Sequence, residues 1–154
     1  MKFIDLYQRM VRASLDGHEK EAGEDILLEG GDPYQLDCLL HPEAHPPVWR
    51  VGSCQCSPGQ SAPCIDNCIF DAIVRDEKGN ISIDGSKCVG CEECIRRCEE
   101  KRLTASKDIL PALAAVRTGD APVYAMIAPA FVSQFAPEVT PGKLRSAFEQ
   151  LGFK

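Results

Sequence analysis

Near the amino end, Phe3, Leu6, Tyr7, Met10, Val11 and Leu15 recur at helical spacing, with Asp5, Arg9 and Arg12 between them. This predicts an amphipathic helix. The motif Gly30-Gly31-Asp32-Pro33 would stop any helix, so residues 1–40 read as two helical stretches, the second from Pro33 to Leu40. His41-Pro42-Glu43-Ala44-His45-Pro46-Pro47 follows as a connector expected to run extended over the surface. Beyond it the period changes. Ala72-Ile73-Val74-Arg75 and Ile81-Ser82-Ile83-Asp84 alternate about the turn Asp76-Glu77-Lys78-Gly79-Asn80, which predicts a β-hairpin. Asp108 is a candidate N-cap for a helix buried through Leu110, Leu113, Ala114 and Val116 and ending near Gly119. Residues 123–127 read as a buried strand, and residues 141–151 as a helix closed by Gly152. Such a strand–helix unit normally feeds a parallel neighbour, so this segment is expected to be part of a larger α/β unit.

These patterns divide the chain into a helical segment with its linker (residues 1–47), a middle segment (48–107) and a helix–strand–helix segment (108–154). The predicted class is α+β. Composition makes the middle segment distinctive. The 154 residues are 44% hydrophobic and 26% charged, a normal globular balance, but only 6% aromatic. A large conventional core is therefore not expected throughout, and something other than burial must stabilise part of the chain.

Eight of the nine cysteines lie in the middle segment. A secreted disulfide scaffold would come with a signal peptide, whereas charges break the apolar amino-terminal pattern, so a reducing cytoplasm is expected. The longest apolar run, residues 123–132, is too short to span a bilayer and contains Pro129. A net charge of −6 argues against a nucleic-acid partner and suits an acidic protein steered to basic docking surfaces. Arg96, Arg97, Lys101 and Arg102 interleave with Glu92, Glu93, Glu99 and Glu100, which reads as a solvated helix face.

The cysteine spacing carries the chemistry. Cys88-x2-Cys91-x2-Cys94-x3-Cys98 curls three thiolates around the corners of one iron–sulfur cubane, and Cys64-x3-Cys68 upstream supplies half of a second run. The fourth cysteine of each run serves the other cluster in two-cluster proteins. On that rule Cys68, Cys88, Cys91 and Cys94 hold one cluster, and Cys54, Cys56, Cys64 and Cys98 hold the other. The Cys54-x-Cys56 spacing, followed by seven residues before Cys64, departs from the usual loop and leaves a full [4Fe-4S], a [3Fe-4S] or no cluster open at the second site. Zinc prefers paired Cys-x2-Cys knuckles, which a continuous run does not suit. Cys38 lies near His41 and His45, where a further metal or a redox thiol is conceivable, but on a short helix it reads first as a buried side chain. His18 reads as exposed.

The middle segment resembles the bacterial two-cluster ferredoxins over residues 49–106, although Ile69 and Glu99 stand where that family usually has proline. Residues 123–131, Gln134-Phe135, residues 141–144 and Leu151-Gly152-Phe153 resemble the opening of the catalytic domain of iron-only [FeFe] hydrogenases and their sensory relatives, in which a ferredoxin-like domain comes first. The resemblance implies an electron-transfer arm with two [4Fe-4S] clusters, whose partner is a redox protein or a catalytic domain. The family's active-site cluster is held by later cysteines, and none follows Cys98 here. No nucleophile–base pair, phosphate loop or carboxylate pair appears in their place, so catalysis by these residues alone is not expected. The alternative is a redox- or hydrogen-sensing module.

Overall fold

The computed structural model describes residues 1–54, 56, 62–75 and 79–154. The chain folds as α+β and divides into two compact units, Met1–Asp108 and Ile109–Lys154.

In the first unit, three helices form one layer: α1 (Phe3–Asp16), α2 (Glu19–Leu28) and α3 (Pro33–Leu40). The first predicted stretch is thus two helices. Gly17, at φ 78°, turns the chain into the left-handed region that ends α1, which a residue with a Cβ adopts only at a cost. The buried stripe of α1 is Leu6, Met10 and Ser14, while Leu15 is exposed. A straight i, i+4 row carries burial onto Ser14, whose hydroxyl bonds Glu19 at 3.0 Å. Asp32 caps α3, its carboxylate accepting from the Tyr34 amide at 2.9 Å and from Gln35 at 3.1 Å. Gly31 is required by space. A Cβ there would strike the Ile26 side chain and come within 2.8 Å of its carbonyl oxygen. The connector is less extended than predicted, because Pro42–Ala44 forms a 3-10 turn with Pro42 buried.

Four short strands follow: β1 (Val48–Arg50), β2 (Ile73–Arg75), β3 (Ile81–Ile83) and β4 (Leu103–Ala105). β2 and β3 form the predicted hairpin, with Ile73 opposite Ile83, although Asp76–Lys78 of its turn lie outside the described residues. β1 pairs antiparallel with the distant β4, Trp49 opposite Thr104, so the first and last strands of the middle segment close on each other. The ladder continues through Val51 N–H to the Arg102 carbonyl and Ser106 N–H to the Pro47 carbonyl, both at 2.8 Å. Two single-turn helices, α4 (Pro63–Asp66) and α5 (Glu93–Arg97), lie between the strands and against each other.

Strand alternation joins the layers. Val48 belongs to the core with Ala62, Cys64, Ile73, Ile81, Cys94 and Leu103. Trp49, 1% exposed, meets Phe3 edge-on at 5.1 Å and Tyr34 at 6.4 Å.

The second unit holds α6 (Ile109–Thr118), a 3-10 turn (Pro129–Ser133) and α7 (Pro141–Gln150), capped by the Thr140 hydroxyl. The strand expected at residues 123–127 does not form. Among the described residues of this unit there is no strand to pair with it, and Tyr124 and Met126 are exposed. Instead Lys154 N–H donates to the Val123 carbonyl at 2.8 Å. An open groove of about 450 Å³ lies among Ala125, Ile127, Phe131, Leu144, Phe148 and Phe153. Among the described residues no helix is long and apolar enough to cross a membrane.

Candidate functional site

The middle segment repeats itself. Cys64 and Cys68 stand thirty residues before Cys94 and Cys98, and each pair occupies the same place in its half. Cys64 and Cys94 are the buried residues of α4 and α5. The Cys68 and Cys98 amides bond back to the Ile65 and Ile95 carbonyls, at 3.0 and 3.3 Å. Three residues beyond each cysteine, Asp71 and Lys101 take positive φ (49° and 52°), and their amides return to the Cys68 and Cys98 carbonyls at 3.1 and 3.0 Å. Left-handed backbone at a non-glycine residue is strained, and its recurrence at equivalent positions ties it to how the fourth cysteine of each half is presented.

Cys68, Cys88, Cys91 and Cys94 line one narrow cavity together with Val48, Ala72, Ile73 and Ile83. Phe70, Val89, Glu92 and Glu93 complete its lining, and Cys91 is the exposed thiol of the group. Gly90, at φ 70°, lets the loop turn between Cys88 and Cys91. Burial pushes the Cys94 thiol up to about 11, and neighbouring Cys88, Cys64 and Cys91 push the same way.

The other four cysteines form a second group. Burial raises the Cys54 and Cys64 thiols. Cys56 and Cys98 add to the effect at Cys54, and Cys98 and Cys54 at Cys64, and Cys54 and Cys98 pack against the core that contains Cys64. Arg50 and the Ile81 backbone pull Cys54 back toward the thiolate. The Arg102 amide donates to Cys98 Sγ at 3.3 Å. Since Cys64 also acts on Cys94, the two groups adjoin through the paired helices. Gln55 and Ser57–Ser61 of the irregular loop lie outside the described residues.

Among the described residues no three His, Cys, Asp or Glu side chains converge tightly enough to hold one metal ion. The thiols of the first group line one narrow cavity instead. The donor set is soft sulfur, with an amide hydrogen bond aimed at it in the second group, which fits an iron–sulfur cluster.

Cys38 stands apart, fully buried in the helical layer, its thiol pushed up to about 11 by burial against the pull of a hydrogen bond from Tyr34. His45 bonds Asp37 at 2.8 Å, and His18 is exposed. The expected solvated face also divides. Arg96 and Arg97 pair with Glu93 at 3.2 and 2.7 Å on exposed α5, but that helix ends at Arg97. Arg102 is half-buried beside β4. Sequence reasoning missed Arg50, Arg75 and Arg102 as neighbours of the cysteines. Their signal was position, each at or beside the end of a strand bordering a cysteine loop.

Comparison with known proteins gives partial relatives. The chain is 40% identical over 43 residues to the thiosulfate reductase electron transfer subunit PhsB of Salmonella typhi, a match covering 28% of this chain and 22% of that protein. It is 44% identical over 43 residues to the ferredoxin-like protein YdhX of Escherichia coli K12, covering 28% and 19%. It is 31% identical over 70 residues to a putative dimethyl sulfoxide reductase iron–sulfur subunit of Halobacterium salinarum, covering 46% and 22%. The matched segment thus spans about a fifth of each relative's length. No family model matches the chain, and no solved structure does. The chain is therefore similar, over part of its length, to ferredoxin-like iron–sulfur electron-transfer subunits.

Proposed function

We propose that the middle segment is an electron-transfer domain carrying two [4Fe-4S] clusters, one on Cys68, Cys88, Cys91 and Cys94, the other on Cys54, Cys56, Cys64 and Cys98. The observation that carries this reading is that Cys68, Cys88, Cys91 and Cys94, from both halves of the repeat, line one cavity; the mutual influence of Cys54, Cys56, Cys64 and Cys98 supports a second site beside it. Bound clusters supply one-electron chemistry. The chain's own residues ligate through thiolate, donate an amide to sulfur at Cys98, and exclude water with Val48, Ile73, Ile81 and Leu103.

The redox partner is a subunit or domain of a larger oxidoreductase, a role supported by the names of the thiosulfate reductase and dimethyl sulfoxide reductase relatives. A hydrogenase-type partner is favoured by residues 123–153, whose motifs resemble the opening of that catalytic domain. A sensing module using the same clusters is the alternative. The place of action is a reducing compartment, the cytoplasm.

Anaerobic reconstitution followed by iron and sulfide analysis and electron paramagnetic resonance tests the reading. About eight irons and eight sulfides per chain, with two reduced cluster signals, are expected. Stoichiometric zinc, or an iron content that does not reach about eight per chain, would refute it.

A further inference from the structure

Three arginines close on the second cysteine group. Arg50 ends β1 four residues before Cys54, and its Nη1 is buried without a hydrogen-bond acceptor among the described residues. Arg75, ending β2, donates from Nη1 to the Cys56 carbonyl at 3.3 Å and the Gly79 carbonyl at 2.8 Å, while its Nη2 is buried and likewise lacks an acceptor. Arg102 gives its amide to Cys98 Sγ and lays its side chain over Gly52, where Nη1 is 3.3 Å from the position a Cβ would take. Its buried Nε makes no hydrogen bond among the described residues and reaches Glu100 only at 3.6 Å.

A buried cationic N–H without an acceptor is costly, and finding two such guanidinium groups, on Arg50 and Arg75, beside one group of thiols, with Arg102 paired to Glu100 next to them, points to an anionic occupant. Four thiolates on a [4Fe-4S] core in its 2+ state give a net 2− unit, and reduction by one electron makes it 3−. The first cysteine group lies in a different field. Its lining includes the acidic residues Glu92 and Glu93, and the cations on the same short helix, Arg96 and Arg97, pair with Glu93 in exposed contacts that solvent screens. Partly buried positive charge favours the added electron more than screened pairs do.

We propose that the cluster on Cys54, Cys56, Cys64 and Cys98 is the more readily reduced of the two, with Arg50, Arg75 and Arg102 setting its potential. With both clusters bound, an electron supplied by an external one-electron donor would come to rest on it. One electron moves per step, and no bond or proton changes. The inference rests on the proposed two-cluster function.

A mediated redox titration of the reconstituted full chain, followed by electron paramagnetic resonance, tests it. Two successive one-electron signals are expected. Cys56→Ser should alter the spectrum of the signal that appears first. Arg50→Gln, Arg75→Gln and Arg102→Gln should each shift that step to lower potential and leave the second in place, while Arg75→Lys restores it and Glu93→Gln does not move it. Both clusters reducing together, Cys56→Ser altering the later signal, or all three Arg→Gln variants keeping the first step unmoved at full iron content would overturn the proposal. Wild-type protein that does not load with about eight irons refutes the two-cluster function itself, a separate result.

Discussion

Residues 3–40 bury Leu6, Met10, Ile26, Leu36, Cys38 and Leu39 to 6% exposure or less, and Asp32 and Gly17 cap the helices they adjoin. Residues 48–106 are a longer stretch of chain, yet their elements are strands of three residues and helices of four and five. The core of that stretch includes two cysteines among its seven buried residues. One layer is held by apolar burial and capping. The other has elements too short to persist alone and gathers thiols where a larger core would place leucines. The difference teaches where the order of the second layer must come from: on the proposed reading, cluster ligation replaces the missing hydrophobic contacts, so cofactor and fold are one problem.

The largest expected effect separates the layers outright. Stripping metal with chelator and ferricyanide should abolish the order of residues 48–106 while α1 to α3 keep their helicity. Far-ultraviolet circular dichroism with amide hydrogen exchange would read this, and full protection of β1 to β4 in the stripped chain would contradict it. Trp49 is where the comparison is sharpest, since it belongs to the cysteine layer by sequence and to the helical layer by contact. Trp49→Ala should cost about 3–5 kcal/mol in denaturant unfolding of the loaded chain, because its cavity cannot be refilled from either side. A loss below about 1 kcal/mol would mean that the layers are not coupled through it.

Much of this division could be read from sequence. Helical spacing and the Gly30–Pro33 break located the helical layer, alternation located the hairpin, and the cysteine run marked the segment that gathers the thiols. Other features were hidden, each for a physical reason. The Gly17 break needed a single left-handed residue inside an otherwise helical stretch, and one glycine is weak punctuation. The β1–β4 pairing joins residues more than fifty apart, a contact that no local pattern encodes. The segment at residues 123–127 has a strand's composition, but a strand forms only against a neighbour's hydrogen-bonding edge. The arginines beside the cysteines were obscured because charge pattern does not report depth for a side chain that can snorkel.

Within the helical layer, Gly31 tests whether the packing is as tight as its burial implies. Gly31→Ala must displace Ile26, a fully buried residue, and also crowd its carbonyl. A loss of about 1–3 kcal/mol is expected, confined to the helical layer, with the iron content of the loaded chain unchanged. Equal loss of iron and helix would show that the layers fold as one.

The smallest effect comes from Cys38, the one cysteine that the helical layer keeps for itself. Burial raises its thiol to about 11, from an ordinary value near 9. A group that holds its proton more tightly when folded adds stability below its unfolded value and loses it as pH rises through the folded one. The layer should therefore weaken progressively between pH of about 9 and about 11. Tyr34, pushed up to about 12 from 10 mainly by burial, adds a similar decline at slightly higher pH. Cys38→Ala removes the first of these slopes and leaves the second, so comparing the two chains isolates the thiol. Denaturation midpoints read by Trp49 fluorescence at pH of about 8 and about 10.5 should converge for wild type and Cys38→Ala at the higher pH. Parallel curves would mean that Cys38 ionises as readily in the fold as out of it, and that the helical layer is more open to water than its buried side chains imply.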